Sequence, residues 1–157
     1  MQPFEEIVEA HGPVVLRVCR TLLGAADADD AWSETFLAAL RAYPELRPDS
    51  NVKGWLVTIA YRKSIDVLRA RTRAPLPTGE RIERGVREPD PSVDDELRAA
   101  LLALPGKQRK SVIHHYLGDL PYAEVGELLG TSTDAARRSA ADGIAALRRA
   151  YARGTRC

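Results

Sequence analysis

Residues 74–93, APLPTGERIERGVREPDPSV, hold four prolines and two glycines and almost no large apolar side chain. Proline has no N–H to give a helix or a central strand, and its ring collides with the preceding turn, so no regular element runs through this stretch. It reads as a linker, and the chain on either side has helical periodicity. The expected fold is therefore all-α: two small helical domains, residues 1–73 and 94–157, joined by the linker 74–93. A chain of 157 residues suits two such units. Twenty linker residues reach at most about 65 Å fully stretched, which lets the units sit far apart on one extended target.

In the first half, Phe4, Ile7, Val8, Val15, Val18, Leu22 and Leu23 recur at helical spacing, and Gly12-Pro13 is expected to bend or interrupt that helix. Asp27 is expected to cap a second helix, DADDAWSETFLAALRAY, whose Ala31, Thr35, Ala38 and Ala39 are small enough for close packing. Nine acids face four arginines in residues 1–50, with Asp29, Asp30 and Glu34 in the early turns of that second helix, where its dipole favours anions. These acids fit two roles equally: docking a basic protein surface, or capping and solubility. YPELRPDSN then reads as a loop.

The next stretch, Asn51 to Arg73, divides by face. At about 100° per residue, Leu56, Val57, Ala60, Tyr61, Ile65, Val67 and Leu68 fall on one half of a helix, as core-facing residues do. Trp55, Arg62, Asp66, Arg69 and Arg73 fall in a narrow arc on the other side. The segment carries six cations against the single acid Asp66, in a chain whose total charge is +1. Charge so concentrated points to a polyanion, and a tryptophan at the head of a cationic line offers a base-stacking surface of the kind that holds single strands. The plainer alternative is a solvated helix face with a half-buried tryptophan.

Four helices are expected after the linker. Asp94 to Leu104 and Lys107 to Leu117 are amphipathic and bounded by Pro or Gly. A short helix over Pro121 to Leu129, a tight turn at Gly130-Thr131, Ser132 as N-cap and a long helix from Thr133 have the spacing of a helix-turn-helix, with a plain helical hairpin as the alternative. Gly126 is expected to permit a close helix crossing.

An apolar fraction of 45% with 29% charged residues is that of a folded soluble domain. No apolar run approaches the roughly 20 residues of a membrane span, and the start of the chain is acidic where a signal peptide would be basic, so the expected location is cytoplasmic. Cys19 and Cys157 form no CxxC pair, and His11, His114 and His115 are not spaced to share a metal, so neither metal nor cofactor is expected. No Ser/His/Asp ordering or phosphate-binding glycine loop suggests an enzyme.

Together these segments resemble the sigma-70 family of bacterial RNA polymerase sigma factors, in particular the short extracytoplasmic-function group that keeps only regions 2 and 4. DADDAWSETFLAAL is similar to the region 2.2 helix that docks on core polymerase; NVKGWLVTIAYRKSIDVLRARTR is similar to regions 2.3 and 2.4, which read and open the minus-ten element; and LRAALLALPGKQRKSVIHHYLGDLPYAEVGELLGTSTDAARRS is similar to region 4. The resemblance implies core-polymerase contacts at Asp29, Asp30, Glu34 and Phe36. It implies minus-ten contacts at Asp49, Ser50, Asn51, Lys53, Trp55, Arg62, Lys63, Arg69 and Arg73, with the loop from Asp49 to Lys53 capturing a flipped base. It implies minus-thirty-five contacts at Ser132, Thr133, Asp134, Arg137 and Arg138. Arg62 stands where the family often has Asn, and Ala140 to Gly143 depart from the usual recognition helix. Asp142 would repel phosphate, and Gly143 is expected to weaken the helix by about 1 kcal/mol relative to Ala.

The function implied is a non-catalytic promoter-specificity subunit, with core RNA polymerase and promoter DNA as partners, an anti-sigma protein as a further partner, and no membrane. A stand-alone helix-turn-helix regulator and an all-helical enzyme or adaptor that binds no DNA are the rival readings. Co-purification with core polymerase separates the first from both.

Overall fold

A computed structural model describes residues 2–73 and 93–154. The linker assignment at 74–92 and Cys157 lie outside the described residues, as do the side chains of Arg73, Val93 and Asp94. Among those described, regular structure is helical throughout, and no helix is long and apolar enough to cross a membrane.

The first unit is three mutually packed helices: α1 (Phe4–Leu23), α2 (Ala25–Ala42) and α3 (Val52–Arg73), with a 3-10 turn at Tyr43–Glu45. Ile7, Val15, Val18 and Leu22 of α1, Ala28, Ala31 and Ala39 of α2, and Leu56, Val57 and Ala60 of α3 are all but fully buried. The alanines of α2 supply the small contact surface that lets the axes approach.

Two expectations about this unit need correcting. Pro13 does not interrupt α1, which runs on through it; the carbonyl of Gly12 accepts a hydrogen bond from Trp32 Nε1 at 3.0 Å, so α2 helps hold the segment that proline weakens. Asp27 is not the cap of α2: the helix starts at Ala25 after Gly24, whose φ of 81° turns the chain. Asp27 sits in the first turn instead, where its carboxylate pairs with Arg71 of α3.

The second unit comprises α4 (Val93–Leu102), α5 (Gly106–Val112), α6 (Tyr122–Leu129) and α7 (Thr133–Gly154). The expected single helix from Lys107 to Leu117 changes form part-way: Ile113–Leu117 is a π-helical turn, closed by the Gly118 N–H to the Ile113 carbonyl at 2.9 Å. The widened turn holds His114 buried and His115 half-buried while Tyr116 is exposed, and it leads into Asp119, whose φ is 57°.

Ser132 caps α7 as expected, its Oγ accepting from the Ala135 N–H at 3.0 Å. Gly126 and Gly143 turn out to be close approaches. A Cβ on Gly126 would stand 2.8 Å from the Thr131 carbonyl, the backbone of the turn itself, and one on Gly143 would stand 2.7 Å from Val112 Cγ2. Gly143 is thus a packing requirement of the α5–α7 contact, not a flaw in the recognition helix.

The units also pack on each other, and one continuous cluster of buried side chains runs through both. Arg17 Nε donates to the Leu117 carbonyl at 2.9 Å, Arg98 Nε to the Thr21 carbonyl at 3.0 Å, and Arg109 Nε to the Tyr61 hydroxyl at 2.8 Å.

Candidate nucleic-acid interface

Helix α3 presents the two faces that its periodicity requires. Leu56, Val57, Ala60 and Tyr61 are buried, with Ile65, Val67 and Leu68 packed at the core margin. Arg62, Asp66 and Arg69 are exposed along the opposite side, and Trp55 at their head is half-buried against the core edge. Arg73 ends the helix. Not every cation of the segment is free for a polyanion, however. Arg71 turns away to Asp27 and to the Leu23 carbonyl at 3.2 Å, which joins α3 to the start of α2. Lys63 is half-buried, and Lys53 is engaged by the second unit.

Asp49 is exposed and Ser50 half-buried, in a turn closed by the Ser50 N–H to the Arg47 carbonyl at 3.0 Å. Asn51 caps α3, its Oδ1 accepting from the Gly54 N–H at 3.0 Å. Sequence reasoning placed Asn51 at the site but missed this second duty, although Asn just before a helix is the ordinary signal for it.

On α2, Asp29, Asp30 and Glu34 are exposed. Phe36 is not: it is 6% exposed, tilted against Trp32 at 4.7 Å between ring centres and edge-on to Phe4 at 6.3 Å. Its assignment to a docking face is therefore corrected to the core, because its position on the helix points it at α1. The apolar residues beside the acids are Leu37, 45% exposed, and Leu40, 50% exposed, neither of which the helical periodicity singled out. Asp30, Glu34, Leu37 and Arg41 follow one another at helical spacing on a single exposed line.

In the second unit Ser132, Asp134, Arg137 and Arg138 are exposed and Thr133 is half-buried at the start of α7. Arg137 is held in place: its guanidinium pairs with Asp134 at 2.8 Å and lies 5.3 Å from the centre of the Tyr122 ring. Tyr122 stacks in turn on His115, with 3.8 Å between ring centres. Ala136 and Ala140 are buried beneath, Ala135 is half-buried, and Ala141 is exposed on the side of the arginines. Among the described residues no group of three or more His, Cys, Asp or Glu is placed to hold a metal ion.

Two family models match the chain: Sigma-70 region 2 over residues 7–74 and Sigma-70, region 4 over residues 94–147. ECF RNA polymerase sigma factor SigD of Mycobacterium bovis is 31% identical over 146 residues, covering 84% of this chain and 69% of that protein. RNA polymerase sigma factor CarQ of Myxococcus xanthus is 29% identical, covering 92% and 87%. The chain spans about half the length of other curated relatives it matches, 57% of SigE from Mycolicibacterium smegmatis and 44% of SigG from Mycobacterium tuberculosis. In fold it is similar to CnrH, solved in complex with the cytosolic domain of CnrY, with a TM-score of 0.69 and 22% identity over 93% of this chain and 85% of that one. The sigma factor RpoE of Bartonella quintana, solved with the anti-sigma factor NepR, gives 0.67 and 18% over 94% and 95%. The first helical unit thus carries region 2, the second carries region 4, and the chain belongs to the sigma-70 family of RNA polymerase sigma factors.

Proposed function

We propose that the chain is a dissociable specificity subunit that binds core RNA polymerase, reads promoter DNA and stabilises its melted form, without chemistry of its own. The observation that carries this reading is α3: a helix with one buried face and, along the other, Arg62 and Arg69 in line with a half-buried Trp55. Arginines so placed meet phosphates irrespective of sequence, while a tryptophan at the end of the line can stack on a base once strands part. Asp49, Ser50, Asn51 and Lys53 lie at the N-terminal end of the same helix, where a flipped base would be held. Arg137 and Arg138 project from α7 for the upstream element, with Ser132 to Asp134 at the end of the helix that enters the groove.

Docking falls to the exposed line of α2. Carboxylates at Asp29, Asp30 and Glu34 steer a basic partner surface, and Leu37 and Leu40 give the contact an apolar centre. Such a subunit works in the cytoplasm, where polymerase and promoters are. The two solved relatives are bound by CnrY and NepR, and an anti-sigma protein is a partner of this chain on the same reasoning.

Mixing the purified chain with core polymerase and a genomic fragment pool tests the proposal. Transcripts that start at discrete sites only when the chain is present are the expected result. No co-purification with core and no chain-dependent start would leave the regulator or adaptor reading in its place.

A further inference from the structure

Arg137 and Arg138 are neighbours on α7, both exposed, and they are not equivalent. Arg137 Nη1 donates to Asp134 Oδ1 at 2.8 Å, and its guanidinium carbon lies 5.3 Å from the centre of the Tyr122 ring. Its side chain is still 55% exposed, so the group is held without being covered. Among the described residues Arg138 has neither an ion pair nor a ring partner.

The ion pair does not fix Arg137 by itself. Asp134 is 82% exposed, and a pair so open to water holds weakly. What gives the guanidinium a plane is the ring beside it. Tyr122 opens α6 and is half-buried; His115 stacks on it with 3.8 Å between ring centres and 12° between planes, and Tyr116 meets His115 edge-on at 4.7 Å. His115 is fixed in turn, its Nδ1–H donating to the Leu120 carbonyl at 2.8 Å. The column of rings therefore starts in the π-helical turn at Ile113–Leu117 and ends on the first turns of α7.

These partners also change what each arginine can bind. Asp134 offsets the charge of Arg137, which weakens its pull on a phosphate yet leaves most of its N–H donors free in a rigid fork. Such a fork matches the O6 and N7 acceptors of a guanine in the major groove, a bidentate contact that depends on the plane of the donor. Arg138 keeps its full charge and its freedom to turn, which suits a phosphate. Resting on the function proposed above, we infer that Tyr122, braced by His115, is a positioning residue for promoter specificity: it holds Arg137 in the plane that reads a guanine of the upstream element, while Arg138 contacts the backbone.

The test uses polymerase reconstituted with the full-length chain and, as probe, the duplex from the fragment pool with the strongest chain-dependent start. Each guanine of its upstream element, on either strand, is replaced singly by 7-deazaguanine, which pairs normally but lacks the N7 acceptor. One such replacement is expected to weaken binding by the parent about fivefold, and the penalty should vanish with Arg137→Ala. Tyr122→Leu should cut the penalty to less than about twofold, leave binding to a random-sequence duplex at the parental level, and add nothing to Arg137→Ala. Tyr122→Phe, which keeps the ring, should retain the penalty. Arg138→Ala should retain it too, with a shallower salt dependence. His115→Ala loosens the ring without touching Arg137 and should roughly halve the penalty, which keeps the test open if Tyr122→Leu loses helicity. A folded Tyr122→Leu chain that keeps the full penalty, or that loses matched and random duplexes alike, overturns the positioning role. An upstream element without a guanine, or no penalty at any guanine with the parent, overturns guanine reading and leaves the specificity subunit standing. Polymerase that gains no promoter binding from the chain overturns the proposed function as well.

Discussion

His114 shows how a single side chain can carry the pH dependence of the fold. It is 1% exposed, its Nδ1–H donates to the Lys110 carbonyl at 2.7 Å, and Nε2 lies 3.4 Å from the Thr58 hydroxyl. Burial holds its pKa below the usual 6.5, the Lys110 carbonyl opposing the shift and the Lys110 charge adding to it. Burial first and Lys53 second also lower that of His11. The unfolded chain therefore takes up these protons first, so the stability they contribute is complete above about pH 6.5 and is lost as pH falls below it. The unfolding temperature should drop between about pH 7.5 and about pH 5.5, and His114→Gln should flatten the drop; an unchanged slope would contradict the assignment. Phe36 makes the complementary point. Its truncation to alanine should cost about 3 to 5 kcal/mol of stability, measured by denaturant unfolding, because it removes a buried ring from between Phe4 and Trp32. Periodicity separated the faces of α3 correctly because seven apolar positions agreed there. On α2 the apolar residues Phe36, Leu37 and Leu40 fall within about 100° of the helix circumference, so the pattern alone does not say which of them α1 buries.

Among the elements, α2 and α7 carry what a helical pattern cannot show. The line Asp30, Glu34, Leu37, Arg41 on α2 predicts that Leu37→Ser with Leu40→Ser weakens core-polymerase binding by more than about tenfold at unchanged helicity, since the exposed pair would supply the apolar centre of the proposed interface. Binding at parental strength would remove the docking role of this face. Gly143 tests packing against propensity. Alanine is worth about 1 kcal/mol more than glycine within a helix, so an isolated α7 would be stabilised by Gly143→Ala. In the folded chain the new methyl meets Val112, itself buried, so a net loss of about 1 to 3 kcal/mol is expected on urea unfolding. A gain would show that α5 and α7 give way easily. Helix existence, the Ser132 cap and the helix-turn-helix were legible because local residues determine them. The continuity of α1 through Pro13, the π-turn at Ile113–Leu117 and the duty of Gly143 were not, because each depends on a neighbour distant in sequence.

Over the whole molecule, the proline-rich stretch led to an expectation of two units free to sit apart, whereas the buried cluster is continuous across both. The hydrogen bonds that also join the units, Arg17 with Leu117, Arg109 with Tyr61 and Asn51 with Glu124, link residues 48 to 100 positions apart, and no pattern within either half foretells them. The positive charge of the Asn51–Arg73 segment is also more narrowly available than its sequence suggests. Arg71 is tied to Asp27 and Lys53 to Asp119, which leaves Arg62 and Arg69 as described, exposed cations for DNA. The most direct measurement is the salt dependence of promoter binding by the reconstituted polymerase, comparing the parent with Arg62→Ala plus Arg69→Ala. If both arginines touch phosphates, the log–log slope should become shallower by up to about 0.9 for each phosphate no longer neutralised, so by nearly two units for the pair. A weaker complex whose slope equals the parent's, or a double variant that binds as the parent does, would contradict the central claim that this face of α3 follows the DNA backbone.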